Sequence, residues 1–112
     1  MAYPGGNRHR RWNDRLAALD KARSDLRALE KREEKLFVVL RNLELKEEEN
    51  NRLLRQLEGS TQTDDSLHAE VLLDDLRRQF ERQIDHLNDY LKVLDGNIIR
   101  QQQLIYSLRE RQ

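Results

Sequence analysis

Three features of this 112-residue chain predict an all-α, non-globular protein made of two long helices in a coiled coil. Apolar residues recur at alternating steps of three and four over most of its length, which keeps one stripe turned toward a partner helix in a left-handed supercoil. Composition agrees: 38% of residues are charged, 5% are aromatic, and there are one Pro and four Gly, the usage of long helices rather than of a packed globule. The third feature is an interruption, "GSTQTDDS" from Gly59 to Ser66, the one stretch near the middle that does not read as helix. These features fit two arrangements, a parallel dimer of chains and an antiparallel helical hairpin.

Residues 1–11, "MAYPGGNRHRR", hold Pro4, Gly5 and Gly6 in succession and read as a flexible basic tail. They lack the apolar core of a secretory signal, and Ala2 is incompatible with N-myristoylation. Arg8, His9, Arg10 and Arg11 beside Trp12 have a composition suited to an acidic surface, nucleic acid or a tubulin tail, but four residues make a small footprint.

Helix one is predicted over residues 12–58. Its seam is Trp12, Arg15, Leu19, Ala22, Leu26, Leu29, Glu33, Leu36, Leu40, Leu43, Glu47, Asn50, Leu54 and Leu57, apolar at all but Arg15, Glu33, Glu47 and Asn50. The charge runs around it, Glu30 to Lys35 and Lys46 to Glu49, read as solvated faces with i,i+4 pairing. Asn50 and Glu47 occupy consecutive seam layers, where a polar group lowers stability but fixes register.

Residues 59–65 form the linker. Gly59 stands where a helix C-cap is common, and Thr63 followed by Asp64 and Asp65 offers an N-cap hydroxyl and two carboxylates for the next helix dipole.

Helix two is predicted over residues 66–110. Its seam is Ala69, Leu73, Leu76, Phe80, Ile84, Leu87, Leu91, Leu94, Ile98, Gln101, Ile105 and Leu108. The consecutive steps of four through Leu76, Phe80 and Ile84 are a stutter that should unwind the supercoil locally. Gly96, within the turn-like trio Asp95-Gly96-Asn97, is expected to stay helical because the seam continues in phase through it.

Folding the chain about the linker sets Leu43 against Phe80, Leu36 against Leu87, Leu29 against Leu94 and Leu19 against Ile105. Seam meets seam in a hairpin. Val39, Leu53, Leu72, Tyr90 and Leu104 lie beside the seam, with Phe37 on its other flank, so the stripe is wider than two-helix packing uses. Protein partners through the helices, self or other coiled-coil subunits, are expected.

Chemistry of other kinds is not expected. There is no Cys, hence no disulfide and no thiolate site, which fits cytosol or nucleus. His9, His68 and His86 are isolated, no Gly-rich phosphate loop or nucleophile elbow is present, and no cofactor, metal or catalytic residue is assigned. The longest apolar run, Leu36 to Leu40, is far below the ~20 residues of a membrane span, so the chain reads as soluble. Acids and bases balance at 21 each, leaving no bulk attraction to nucleic acid or anionic lipid.

Within the linker, Ser60, Thr61, Gln62, Thr63 and Asp64 spell "STQTD", which resembles the TQT-type motif of coiled-coil partners of the small dynein light chain hub. The resemblance implies that the segment adds as a strand to the light chain's sheet edge, with Gln62 as anchor between Thr61 and Thr63. Gly59 departs from the fuller motif, where a basic residue often stands. It further implies a non-enzymatic scaffold or adaptor in a dynein-, axoneme- or centrosome-associated cytoskeletal assembly, in the cytoplasm and, in some settings, the cilium. The alternative is a hairpin subunit of a tethering, kinetochore or transcriptional complex, with the linker a plain turn. The two conflict physically: seven residues held as a strand span about 23 Å, whereas packed helices stand about 8–10 Å apart.

Overall fold

The computed structural model describes residues 4–60 and 63–110, with side chains from Arg10 onward. It contains two helices, α1 (Pro4–Glu58) and α2 (Asp64–Glu110), and no strand among the described residues. The all-α class and both helices are as the sequence predicts.

Two boundaries differ, and so does the way α1 is capped. α1 begins at Pro4, so residues 4–11, expected in the tail, are helical; the Pro ring already holds a helical φ and its missing N–H costs nothing in the first turn. α2 begins at Asp64, inside the expected linker, with Asp64 and Asp65 in its first turn, where carboxylates meet the positive end of the helix dipole. α1 ends at Glu58 as expected, yet no described glycine has positive φ. Gly59 therefore does not form a left-handed cap; its N–H bonds Arg55 O at 3.2 Å, and Ser60 closes the end by giving both its N–H (3.2 Å) and its hydroxyl (2.8 Å) to Leu57 O. α2 runs through Gly96 without a break.

The chain divides into two units. The turn unit, Lys35–Leu91, holds the C-terminal part of α1, the linker and the N-terminal part of α2. In it the Asn50 side-chain amide donates to Leu73 O at 2.9 Å. Those positions lie one heptad from Leu43 and Phe80, so the predicted hairpin register is the one observed. The terminal unit pairs Met1–Glu34 with Lys92–Gln112. There the Gln101 amide donates to Ala22 O at 3.0 Å, one heptad from the predicted pairing of Leu29 with Leu94. Within each unit the two helices run antiparallel.

The terminal unit has the drier core. Leu19, Ala22, Leu94 and Ile98 are each 6% exposed or less, and Leu26, Leu29, Ile105 and Leu108 are partly buried. Trp12 is not part of this core at 54% exposed, and Arg15 is exposed. Leu16, off the expected seam, is partly buried instead.

In the turn unit Leu36, Leu40, Leu43, Leu54 and Leu57 face Leu73, Phe80, Ile84 and Leu87, all partly buried, with Leu91 buried. Ala69 is partly buried as well. Leu76 is not a seam residue: it is 41% exposed, while the neighbouring Arg77 is partly buried. With Glu70 and Arg77 in the seam, the steps from Glu70 through Leu73, Arg77, Phe80 and Ile84 alternate three and four, and the predicted stutter disappears. The arginine occupies a core-facing position because its long stem can pack while its guanidinium reaches the edge.

Candidate interaction surface

Three places in the turn unit could carry function: the linker and the two flanks of the helix pair. The linker comes first because it holds the predicted motif. Thr61 and Gln62 lie outside the described residues. The others are engaged in helix ends. Thr63 Oγ1 accepts from the Ser66 N–H at 3.1 Å, and Ser66 Oγ accepts from the Thr63 N–H at 2.8 Å. This is a reciprocal capping box, with Ser in the place more often held by Glu or Gln. The Ser66 hydroxyl donates to Thr63 O at 2.9 Å, and the Leu67 N–H reaches the same oxygen at 3.0 Å. Ser60 is tied to Leu57 and Asp64 is in the first turn of α2. A strand through this segment would need the Thr63 N–H and hydroxyl released from the box.

The flanks follow from the heptad. In an antiparallel pair each side of the seam is lined by equivalent positions of the two helices. One side of the turn unit takes Phe37, Glu44, Asn51 and Glu58 from α1 with Asp74, Glu81 and Asn88 from α2. It is the acidic flank. A shallow groove there is lined by Leu54, Glu58, Glu70, Val71, Asp74, Asp75 and Arg78. Asp74 is its electrostatic centre: Arg77 Nη2 and Nε donate to Oδ1 at 2.7 and 3.0 Å, and Arg78 Nη2 lies 3.2 Å from Oδ2. Arg77 Nη1 also lies 3.6 Å from Glu81 Oε1. The hydrogen bond to Asp74, then the charge of that carboxylate, raises the Arg77 pKa further above neutrality. Two buried acceptors, Asn51 Oδ1 on this flank and Glu70 Oε1 in the seam, have no partner among the described residues, which costs this unit stability.

The opposite side takes Val39, Lys46 and Leu53 from α1 with Ala69, Leu76, Gln83 and Tyr90 from α2. None of these is acidic. Leu36, Val39, Leu43, Gln83, His86, Leu87 and Tyr90 line one open apolar groove, which places Val39 and Tyr90 on a common face across the seam. Val39 (47%), Leu53 (40%), Leu72 (53%), Leu76 (41%) and Tyr90 (45%) all remain substantially exposed. Leu72 and His86 extend this flank one position outward on α2. Sequence reasoning identified Val39, Leu53, Leu72 and Tyr90 beside the seam, and missed Leu76, Gln83 and His86. Leu76 was hidden because it was read as core, and the polar pair carries no signal until its neighbours are placed.

No group of three His, Cys, Asp or Glu among the described residues could hold a metal ion, and no described helix is long and apolar enough to cross a membrane. Compared with protein-family models, with curated proteins and with solved structures, the chain matches none.

Proposed function

We propose that this chain is a non-enzymatic helical-hairpin subunit of a larger protein assembly, which docks through its apolar flank and uses GSTQTDDS as a capped turn. The observation that carries this reading is the row of large apolar side chains left exposed beside the seam after the two helices have paired. Phe37, Val38, Leu45, Leu67 and Val71 are exposed on other faces of the turn unit, but Val39, Leu53, Leu72, Leu76 and Tyr90 adjoin along one acid-free flank, and a contiguous apolar strip is costly to leave bare and serves a partner. The capping box supports the turn, because Thr63, central to the light-chain resemblance, is engaged in starting α2.

Titration of the purified chain with purified dynein light chain tests this, with Thr61, Gln62 and Thr63 all changed to Ala as control. Spin labels on Ser24→Cys and Gln103→Cys report whether the chain is closed. These are exposed positions of the terminal unit in a protein with no natural Cys. The expected result is no heat of binding and an intrachain distance of about 25 Å, set by helix spacing and diameter. Micromolar or tighter binding that the triple change removes, with the label distance lengthened well beyond 50 Å, would replace the hairpin reading by a parallel, light-chain-recruiting scaffold of a cytoskeletal assembly.

A further inference from the structure

We infer that the apolar flank of the turn unit binds a second copy of this chain, two hairpins joining about a two-fold axis into a four-helix bundle. The inference rests on the hairpin reading above and names its partner. A two-fold interface brings one patch against itself, so the patch must be self-complementary in both shape and charge. The acidic flank meets this requirement poorly: a two-fold axis would bring the strip of Glu44, Glu58, Asp74 and Glu81 against the same acids of the mate, with Arg41, Arg77 and Arg78 as their counter-charges. The other flank meets it. Val39, Leu53, Leu76 and Tyr90 form an acid-free apolar strip, and the rim of the same side carries Lys46 and, one turn on, Glu49. A two-fold mate can set Lys46 of each copy against Glu49 of the other, two equal pairs from one pair of residues. Glu49 is available for this, since its contact with Arg52 is 3.7 Å long and both side chains are more than 60% exposed.

The seam gives the same direction. In the turn unit most seam leucines remain only partly buried, and helices with an apolar seam plus one apolar flank are suited to a bundle rather than to a two-stranded coil. Covering the flank would bury the open edge of Leu36, Leu43 and Leu87 as well as the strip itself.

The test is sedimentation and light scattering of the full chain across concentration, with the Ser24→Cys/Gln103→Cys label pair read in parallel. The expected result is a reversible dimer of closed hairpins. Val39→Gln with Leu76→Gln should weaken association roughly tenfold or more, with helicity and label distance unchanged, while Glu44→Gln with Glu81→Gln on the acidic flank should not. K46E and E49K should each weaken association about two- to fivefold, and an equimolar mixture of the two should form a heterodimer more tightly than either forms a homodimer. Because the two variants also carry opposite net charge, the pairing is read from the double variant K46E with E49K in one chain, which should regain the parent's association if Lys46 meets Glu49 of the mate. A dimer indifferent to the flank changes overturns the inference. So does a monomer at every concentration: a short label distance then leaves the hairpin reading intact with a different partner, whereas a long one removes that reading too.

Discussion

The two units of this chain are built from the same seven-residue pattern and end up with opposite properties. In the terminal unit Leu19, Ala22, Leu94 and Ile98 close into a dry core. In the turn unit Glu47, Asn50, Glu70 and Arg77 occupy seam layers, and among the described residues Asn50 is the one buried polar residue. Polar layers give up burial and fix register; the terminal unit has them at Glu33 and Gln101, but the turn unit has more, so the terminal unit contributes more of the holding together while the turn unit contributes more of the alignment and presents the apolar flank.

The sharpest way to break that comparison is to cut the same group from both cores. Leu94→Ala, at a position 2% exposed, should cost about 2–5 kcal/mol in urea unfolding followed by helical circular dichroism. Leu40→Ala, at a partly buried seam position of the turn unit, should cost less, about 1–2 kcal/mol, because part of its surface is wet already. Equal losses would show that the turn unit is as well packed as its counterpart, and the division of labour would fail.

A second change moves the turn unit toward the terminal one. Asn50→Leu gives up one hydrogen bond to a carbonyl that already serves its own helix and adds apolar burial in the seam. Stability should rise by about 1 kcal/mol while register becomes less certain. Labels at Arg52→Cys and Asp75→Cys should then give a broader distance distribution than in the parent. A narrow, unchanged distribution would assign register to the apolar layers instead.

Thr63→Ala tests the end of the turn unit. Losing the cap should cost about 1 kcal/mol, and Thr63→Ser should restore it. No change on Thr63→Ala would mean that the box contributes nothing and that Thr63 is free for another use, which would return weight to the light-chain motif.

These residues also show what was readable beforehand. The seam from Leu19 to Leu57 and from Phe80 to Leu108 was legible because a stripe of burial imposes its own period, and the register followed once both stripes were known. Arg77 was not legible, since a hydropathy pattern prefers Leu76 and says nothing of a long stem whose charge is held by Asp74 and Glu81. Ser66 could have been found: a hydroxyl three residues after Thr63 completes a capping box. The apolar flank was visible as residues beside the seam, while its contrast with an acidic flank required knowing that the helices run antiparallel.

The last prediction concerns Gly96, in the terminal unit. A Cβ built there meets nothing within 4 Å, and the residue is helical, so Gly96→Ala should stabilise the chain by about 1 kcal/mol through helix propensity alone. Because that face is open in the isolated chain, the same change should leave dimerisation through the turn unit untouched. If Gly96→Ala raised the melting temperature yet weakened association, a neighbouring helix would have to approach at Gly96. The contact surface would then extend from the turn unit into the terminal one, and holding together and binding would no longer belong to separate parts of the chain.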